Sequence, residues 1–218
     1  FVEKDSVLEG TKAGIVWDPS MGYGGRLLGA IVAGVNYVGT DPCIPTHTGL
    51  KQIRHDYGIV DKLYKLLRQG SETFIPREES FDFVFTSPPY FGWEAYGEEP
   101  EQSSIKFDTE DMWKEHFLKK TIANAYIGLK TGKYLALNVA NTKQYKTFEE
   151  DTVQMAKDVG FEHTDTWWLS LSTQQGTPQV ITLDGDTTEK KQKQQYMGEY
   201  KRPDIEGRKF EPTFIFKK

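Results

Sequence analysis

Short apolar runs alternate with segments of helical periodicity along the first part of the sequence. Runs rich in aromatic and β-branched residues, which are typical of buried strands, cover 14–18, 37–41, 81–85 and 134–139. After the first run, apolar residues recur at helical spacing at Leu27, Leu28, Ile31 and Val32. Strands that alternate with helices favour parallel pairing through crossover connections. The pattern therefore predicts an α/β domain built on a mostly parallel, doubly wound sheet.

The stretch between the second and third apolar runs is less regular. Across 42–69 a polar connection is followed by apolar residues in rough helical register. Gly58 interrupts this pattern, which consists of Leu50, Ile53, Val60, Leu63 and Leu67. We therefore expect a helix here. Residues 70–74 allow either a third strand or a loop, and the loop is the favoured interpretation.

Helix end signals define two more helices. Asp108 or Thr109 is placed to cap a helix that runs to about Leu129. Its inward face is predicted to carry Trp113, Phe117, Ala123 and Ile127. Thr147 and Glu150 have the spacing of a capping box for a helix through Val159, which Gly160 would end.

The C-terminal part of the sequence separates two apolar runs by a long polar segment. Residues 161–171 and 213–216 have strand character. Residues 172–211 form a polar, basic insertion without apolar periodicity. Two interpretations remain open: an arm that contacts nucleic-acid phosphates, or a solvated hairpin loop.

Composition limits the class of protein. The chain has 218 residues, of which 37% are hydrophobic and 27% charged, and we expect a single soluble domain over 1–218. No apolar stretch has the length of a membrane helix. The low cysteine content suits a reducing compartment, so a cytoplasmic location is expected. The single cysteine, Cys43, excludes an internal disulfide. A net charge of −5 argues against binding nucleic acid by bulk electrostatics.

The first strand is followed by a glycine-rich turn that opens a helix. This turn, 18–26, lets backbone approach a ligand closely, with the helix amides directed at it. The second strand ends in Asp41, an acid that can accept both hydroxyls of a ribose. A dinucleotide fingerprint would require a third glycine where Leu27 stands. The turn therefore indicates either another nucleotide-like ligand or a glycine turn that only tightens the core.

The third apolar run, 81–85, ends in a stiff polar corner formed by Ser87, Pro88, Pro89 and Tyr90. The prolines stop the strand because they lack the N–H that a sheet requires and fix φ. The corner presents a small hydroxyl, carbonyl groups and a flat ring at the carboxyl end of a strand. Open α/β sheets bind their ligands there, and this set suits a planar molecule that carries an amino group.

The corner and the glycine turn together resemble the AdoMet-dependent DNA amino-methyltransferases, which methylate N4 of cytosine or N6 of adenine. The corner is similar to the catalytic tetrapeptide of that family, in which Asp, Asn or Ser precedes Pro-Pro and an aromatic residue. The turn matches the cofactor motif Asp-Pro-Phe-x-Gly-x-Gly, except that Ser20 replaces the aromatic residue. The resemblance extends from Asp18 to Phe216.

This resemblance implies a Rossmann-like fold with a mostly parallel seven-stranded sheet and an antiparallel C-terminal strand. It implies S-adenosyl-L-methionine as the cofactor, held by Asp18, Pro19, Ser20, Gly22, Gly24, Asp41 and, near the adenine, Ser71. It implies catalysis by Ser87, Pro88, Pro89 and Tyr90 on a DNA base that is flipped out of the duplex. Residues 91–107 would form an active-site loop, in which Trp93 and Tyr96 either contact the base or pack on the domain.

The resemblance also sets the expected activity and its alternatives. A site-specific DNA methyltransferase of the restriction–modification kind is expected, assisted by a separate recognition subunit or domain because none fits the length. The alternatives are an RNA base N-methyltransferase and a noncatalytic subunit of the same fold that binds nucleic acid. Cys43 follows a proline, as in cytosine C5 methyltransferases, but it lies far from the corner and is interpreted as structural. The four histidines lack ligand spacing, so no metal site is expected.

Overall fold

The computed structural model describes residues 13–57, 59, 62–93, 98–171, 203 and 209–218. These residues form a seven-stranded sheet of order β3-β2-β1-β4-β5-β7-β6. Its strands are β1 (Ile15–Asp18), β2 (Asn36–Thr40), β3 (Tyr64–Leu67), β4 (Phe81–Thr86), β5 (Leu129–Asn138), β6 (Glu162–Leu171) and β7 (Lys209–Lys217). The pairings from β3 to β5 are parallel, and β7 is antiparallel to both β5 and β6. The predicted fold class is confirmed.

The helices connect the strands in the order expected for a doubly wound sheet. They are α1 (Gly25–Ala33), α2 (Ile44–Asp56), α3 (Ser103–Lys106), α4 (Glu110–Trp113), a π-helical turn (Lys114–Leu118), α5 (Lys119–Gly128) and α6 (Phe148–Val159). From β1 the chain proceeds to β3 at one edge, and then crosses to β4 on the other side of β1. Ligands of such sheets bind where the strand order reverses. Here that point lies between β1 and β4.

The core consists of two apolar clusters. The larger cluster contains Trp17 of β1 and Val84 of β4 together with Trp113 and Phe148, all of them 0% exposed. The smaller cluster lies among α1, α2, β2 and β3 and includes Leu27 and other buried residues of these elements. The larger cluster therefore holds β1 and β4 in place beneath the reversal point.

The predicted helix across 42–69 is only partly correct. Helix α2 ends at Asp56, and Leu67 belongs to β3 instead of a helix. In β3, Tyr64 and Leu66 are buried while Lys65 between them is exposed, so the side chains alternate with the period of a strand. A strand of four residues shows too little alternation in the sequence to be distinguished from the helical register that precedes it. Residues 71–73 form a turn, which is the favoured interpretation of that stretch.

The helix predicted from Thr109 begins as expected, because the Thr109 hydroxyl accepts a hydrogen bond from the Met112 amide at 3.3 Å. The inward position predicted for Ile127 is wrong, since its side chain is 41% exposed. The π-helical turn widens the helix by one residue and rotates everything after it relative to a continuous α-helix. Ile122 and Ala125, each 1% exposed, face the core of the described protein instead.

The capping box predicted at Thr147 is also wrong. The Thr147 hydroxyl donates to Asp151 Oδ2 at 3.0 Å, and the Glu150 carboxylate accepts from Asn141 Nδ2 at 3.2 Å. Both side chains therefore have partners other than the helix amides. Gly160, with φ of 118°, ends α6 as predicted.

Most of the polar segment predicted for 172–211, and Tyr96, lie outside the described residues. Within the described part of the chain, no helix has the length and apolar character that crossing a membrane requires. The same residues contain no group of three or more His, Cys, Asp or Glu side chains placed to hold a metal ion.

Candidate functional site

A cavity of about 470 Å³ opens at the carboxyl ends of β1, β2 and β4. Its walls bring together Ser20 and Gly22 of the glycine turn, Asp41 after β2, and Ser87 of the corner. Pro19, Ser71 and Pro89 also line it, whereas Asp18, Gly24, Pro88 and Tyr90 do not. The volume lies within the range of small-molecule sites. The structure thus places residues predicted for cofactor binding and for catalysis around one cavity.

The glycines of the turn have different tasks. Gly22 and Gly24 both have positive φ, 49° and 92°. A Cβ at Gly22 would meet only the Ser20 carbonyl oxygen, at 3.8 Å, so the turn leaves open space beside its backbone. A Cβ at Gly24 would lie 2.7 Å from Leu50 Cδ2, so glycine there lets α2 pack closely against the turn. Gly22 therefore keeps space open beside the cavity, and Gly24 allows the close packing of α2 that holds the turn.

Asp41 is held by backbone amides on both sides. Its Oδ1 accepts a hydrogen bond from the Cys43 amide at 2.9 Å, and its Oδ2 accepts one from the Gly22 amide at 3.1 Å. Burial raises the pKa of Asp41 above its usual range, although these two hydrogen bonds act in the opposite direction. Each carboxylate oxygen has a further lone pair. Asp41 can therefore accept hydrogen bonds from a ligand in the cavity from a fixed position.

Asp18 lies beneath the turn and organises it. The side chain is 1% exposed, and its Oδ2 accepts hydrogen bonds from Arg26 Nε at 2.8 Å and from the Tyr37 hydroxyl at 2.7 Å. Its Oδ1 accepts from the Ser20 amide at 3.3 Å. Burial, followed by the charge of Asp18, raises the pKa of Tyr37 well above its usual value. Arg26 and Tyr37 were not among the predicted site residues, although the position of an arginine immediately after a glycine pair is visible in the sequence.

The corner after β4 is fixed by its tyrosine. The Tyr90 hydroxyl accepts a hydrogen bond from the Ala140 amide at 3.0 Å, and the Tyr90 ring meets Phe148 edge-on at 5.2 Å. Burial, together with the charges of Glu211 and Glu149, raises the pKa of Tyr90 well above its usual value. The phenol therefore stays protonated at neutral pH. Its hydrogen bond to the segment after β5 sets the position of the ring.

Residues 70–72 form another part of the cavity wall. Ser71 is 1% exposed, and its hydroxyl shares a hydrogen bond with the Thr121 hydroxyl at 2.8 Å. Beside it, Glu72 forms an ion pair with Lys106 at 2.8 Å. The Ser71 hydroxyl is thus already engaged in the structure, and Ser71 forms part of the wall.

Part of the segment predicted as an active-site loop also borders the cavity, at Glu101, Gln102 and Ser103. Glu99 connects this segment to the other side of the site, because its Oε1 accepts a hydrogen bond from the Ile44 amide at 3.0 Å. That bond is the largest influence lowering the pKa of Glu99. Trp93 is 53% exposed. Cys43 is buried and precedes α2, but it lines the same cavity as Ser87, so the prediction that it lies far from the corner is wrong.

No protein-family model and no curated protein matches the sequence. Among solved structures, a TehB-like SAM-dependent methyltransferase from Corynebacterium glutamicum ATCC 13032 is similar over 99% of this chain and 86% of that chain, with 14% identity and a TM-score of 0.55. A SAM-dependent methyltransferase from Methanosarcina mazei is similar over 94% of this chain and 92% of that chain, with 13% identity and a TM-score of 0.55. The [4+2]-cyclase SpnF is similar over 75% of this chain, which spans 56% of that chain, with 13% identity and a TM-score of 0.52.

These similarities show the class of fold. The chain has the α/β fold of SAM-dependent methyltransferases, with the cavity at the strand-order reversal. The similarity to a cyclase means that this fold alone does not assign methyl transfer. Any more particular function has to be argued from the side chains around the cavity.

Proposed function

We propose that this protein transfers a methyl group from S-adenosyl-L-methionine to an exocyclic amine of a DNA base, N4 of cytosine or N6 of adenine. The observation that supports this most strongly is the shared cavity. Ser87 and Pro89 line it together with Gly22 and Asp41, so a ligand held by the glycine turn would lie beside the corner. Strands β1 and β4 pair directly, Val16 with Phe83.

The cavity suits an adenosyl sulfonium ligand. Its described walls carry the carboxyl groups of Asp41, Glu72 and Glu101, which fit a ligand with an ammonium and a sulfonium group. Asp41 would bind the ribose hydroxyls, and residues 70–72 would border the adenine. Bound there, S-adenosyl-L-methionine supplies an electrophilic methyl group.

The residues of the corner would act on the base by hydrogen bonding and positioning. An exocyclic amine is a weak nucleophile because its lone pair is delocalised into the ring. Acceptance of its N–H hydrogens by Ser87 Oγ and the Pro88 carbonyl would draw the nitrogen towards tetrahedral geometry. Tyr90 would stack on the flipped base. Alignment for direct attack then supplies much of the rate, with no covalent enzyme intermediate.

DNA is the proposed partner, although the net charge of the chain is −5. Binding then depends on a local basic patch or on a separate recognition subunit or domain. The lysines and arginines of 172–211 are the candidates for that patch, and most of them lie outside the described residues. Ser at the first position of the corner favours cytosine in the family that the sequence resembles, but both bases stay in the proposal.

The test is a transfer assay with purified protein, labelled S-adenosyl-L-methionine and unmethylated DNA or RNA, followed by mass spectrometry of the nucleosides. We expect N4-methyldeoxycytidine or N6-methyldeoxyadenosine. Modified ribonucleosides alone would support the RNA alternative, and cofactor binding without transfer would support the noncatalytic alternative.

A matched pair of variants tests the assignment of the corner. Ser87→Ala removes the proposed acceptor and should reduce transfer strongly. Ser80→Ala removes an exposed hydroxyl that donates only to the Arg77 carbonyl, at 2.7 Å, before β4, and should leave transfer unchanged.

A further inference from the structure

Arg26 stands out among the charged residues of the cavity. It is the only lysine or arginine among the described residues that line the cavity, whereas three acids line it. Among the charged side chains of this wall, Arg26 is therefore the one that attracts an anionic group. The amino-acid end of S-adenosyl-L-methionine carries one carboxylate, which needs a cation when it is removed from water.

The Arg26 guanidinium is fixed in place, and several of its N–H donors are not used in doing so. Its Nε donates to Asp18 Oδ2 at 2.8 Å, a hydrogen bond from Nη2 goes to the Ser20 carbonyl, and the group lies 5.8 Å from the centre of the Phe85 ring. A guanidinium has five N–H donors, so these contacts leave more than half of them. Arg26 Nη1 has no hydrogen-bond partner in the described part of the chain.

The two members of the Arg26–Asp18 ion pair differ in solvent exposure. The Asp18 side chain is 1% exposed, whereas that of Arg26 is 27% exposed and borders the cavity. The carboxylate therefore lies behind the guanidinium, on the side of the protein core. Asp18 fixes the orientation of the guanidinium through Nε, and Arg26 itself borders the space where a ligand would lie.

We propose that Arg26 binds the carboxylate of the methionine moiety of the cofactor and makes the site selective for adenosyl ligands that carry it. This rests on the proposed function, because it assigns one group of the proposed cofactor to one residue. The planar fork suits a carboxylate, and its fixed position reduces the entropy lost on binding. Asp18 is then a positioning residue for Arg26.

The competing explanation is that Arg26 only neutralises the buried Asp18. A purely structural role predicts that replacing Arg26 weakens the binding of all adenosyl ligands equally, through damage to the turn. Carboxylate binding predicts a selective loss. Two ligands that differ only in this group separate the explanations: S-adenosyl-L-methionine and its decarboxylated form.

The experiment is isothermal titration calorimetry of both ligands with wild type, Arg26→Gln, Arg26→Lys and Lys130→Gln. In the wild type, S-adenosyl-L-methionine should bind about 10- to 100-fold more tightly than the decarboxylated ligand, as for one charge-assisted hydrogen-bonded pair. In Arg26→Gln this preference should disappear through weaker binding of the carboxylated ligand alone. Lys130→Gln breaks a 2.7 Å ion pair with Asp82, away from the cavity lining, and should preserve the preference.

Arg26→Lys serves as the test if Arg26→Gln does not fold. A lysine retains a positive charge beside Asp18 but lacks the planar pair of N–H donors that suits a carboxylate. The preference should fall several-fold in this variant. An unchanged preference in a folded Arg26 variant, or equal weakening of both ligands, overturns the carboxylate assignment alone. If the wild type binds neither ligand, the proposed cofactor itself is wrong.

Discussion

Tyr37→Phe isolates one hydrogen bond beneath the glycine turn. Tyr37 lies in β2 and is 1% exposed, and its hydroxyl donates to Asp18 Oδ2 at 2.7 Å. The substitution removes only the oxygen and leaves the ring in place. Asp18 keeps its ion pair with Arg26 but loses one of two hydrogen bonds to the same oxygen.

The cost follows from the burial of the acceptor. A hydrogen bond to a charged group contributes about 1.5–3 kcal/mol, and a buried carboxylate oxygen has no water to replace the lost donor. For a chain of this size, 1 kcal/mol changes the melting temperature by about 2–4 °C. We therefore expect Tyr37→Phe to lower it by roughly 3–12 °C.

The measurement is thermal and urea unfolding followed by circular dichroism, with Tyr64→Phe as the control. Tyr64, in β3, is also buried, at 7% exposed, and its hydroxyl has no hydrogen-bond partner among the described residues. The control should change stability by less than about 0.5 kcal/mol. Equal effects of the two substitutions would refute the conclusion that the Tyr37–Asp18 hydrogen bond stabilises the turn.

Three further predictions concern the cavity. Asp41→Ala should abolish the thermal stabilisation by S-adenosyl-L-methionine. Because burial raises the pKa of Asp41, the cofactor affinity of the wild type should fall on acidification at a higher pH than an ordinary aspartate would give. Full stabilisation of Asp41→Ala would exclude the ribose role. Tyr90→Ala should abolish methyl transfer while cofactor affinity survives, and equal loss of both would contradict base stacking. Gly39→Ala would place a Cβ 2.6 Å from Met21 Sδ in the turn and should cost about 1–3 kcal/mol in urea unfolding. Gly29→Ala in α1, where a Cβ meets nothing within 4 Å, is its control and should not destabilise.

The elements around the cavity could be predicted because each carries its own local signal. A glycine turn follows β1, Asp41 follows β2, and two prolines come shortly after the end of β4. Since parallel strands end at the same edge of a sheet, the convergence of Gly22, Asp41 and Ser87 followed from the predicted alternation of strands and helices.

The elements predicted wrongly depend on contacts beyond the local window. β3 has only four residues, and the alternation of its buried and exposed side chains depends on its pairing with β2. The exposure of Ile127 depends on a π-helical turn that no apolar spacing indicates. Thr147 and Glu150 matched a capping box, but their partners are Asp151 and Asn141.

The network beneath the turn was hidden for the same reason. Asp18 meets Tyr37 because β1 and β2 pair in parallel, with Asp18 opposite Gly39. A shift of one residue in this register would turn Tyr37 to the other face of the sheet. Register between strands is a property of the packed core, so a sequence motif identifies Asp18 without identifying its partners.

The sheet also sets the distance between the two proposed reactants. Because β1 and β4 are hydrogen-bonded neighbours, their backbones lie about 4.8 Å apart beneath the glycine turn and the corner. Val84 of β4 pairs with Trp17 of β1, and both are 0% exposed, so the spacing cannot relax without disrupting the core. Direct transfer between two bound molecules depends on such fixed alignment. In the proposed reaction, the β1–β4 pairing would therefore supply the alignment of the two reactants, and the hydrogen bonds proposed for Ser87 and Pro88 would supply the activation of the amine.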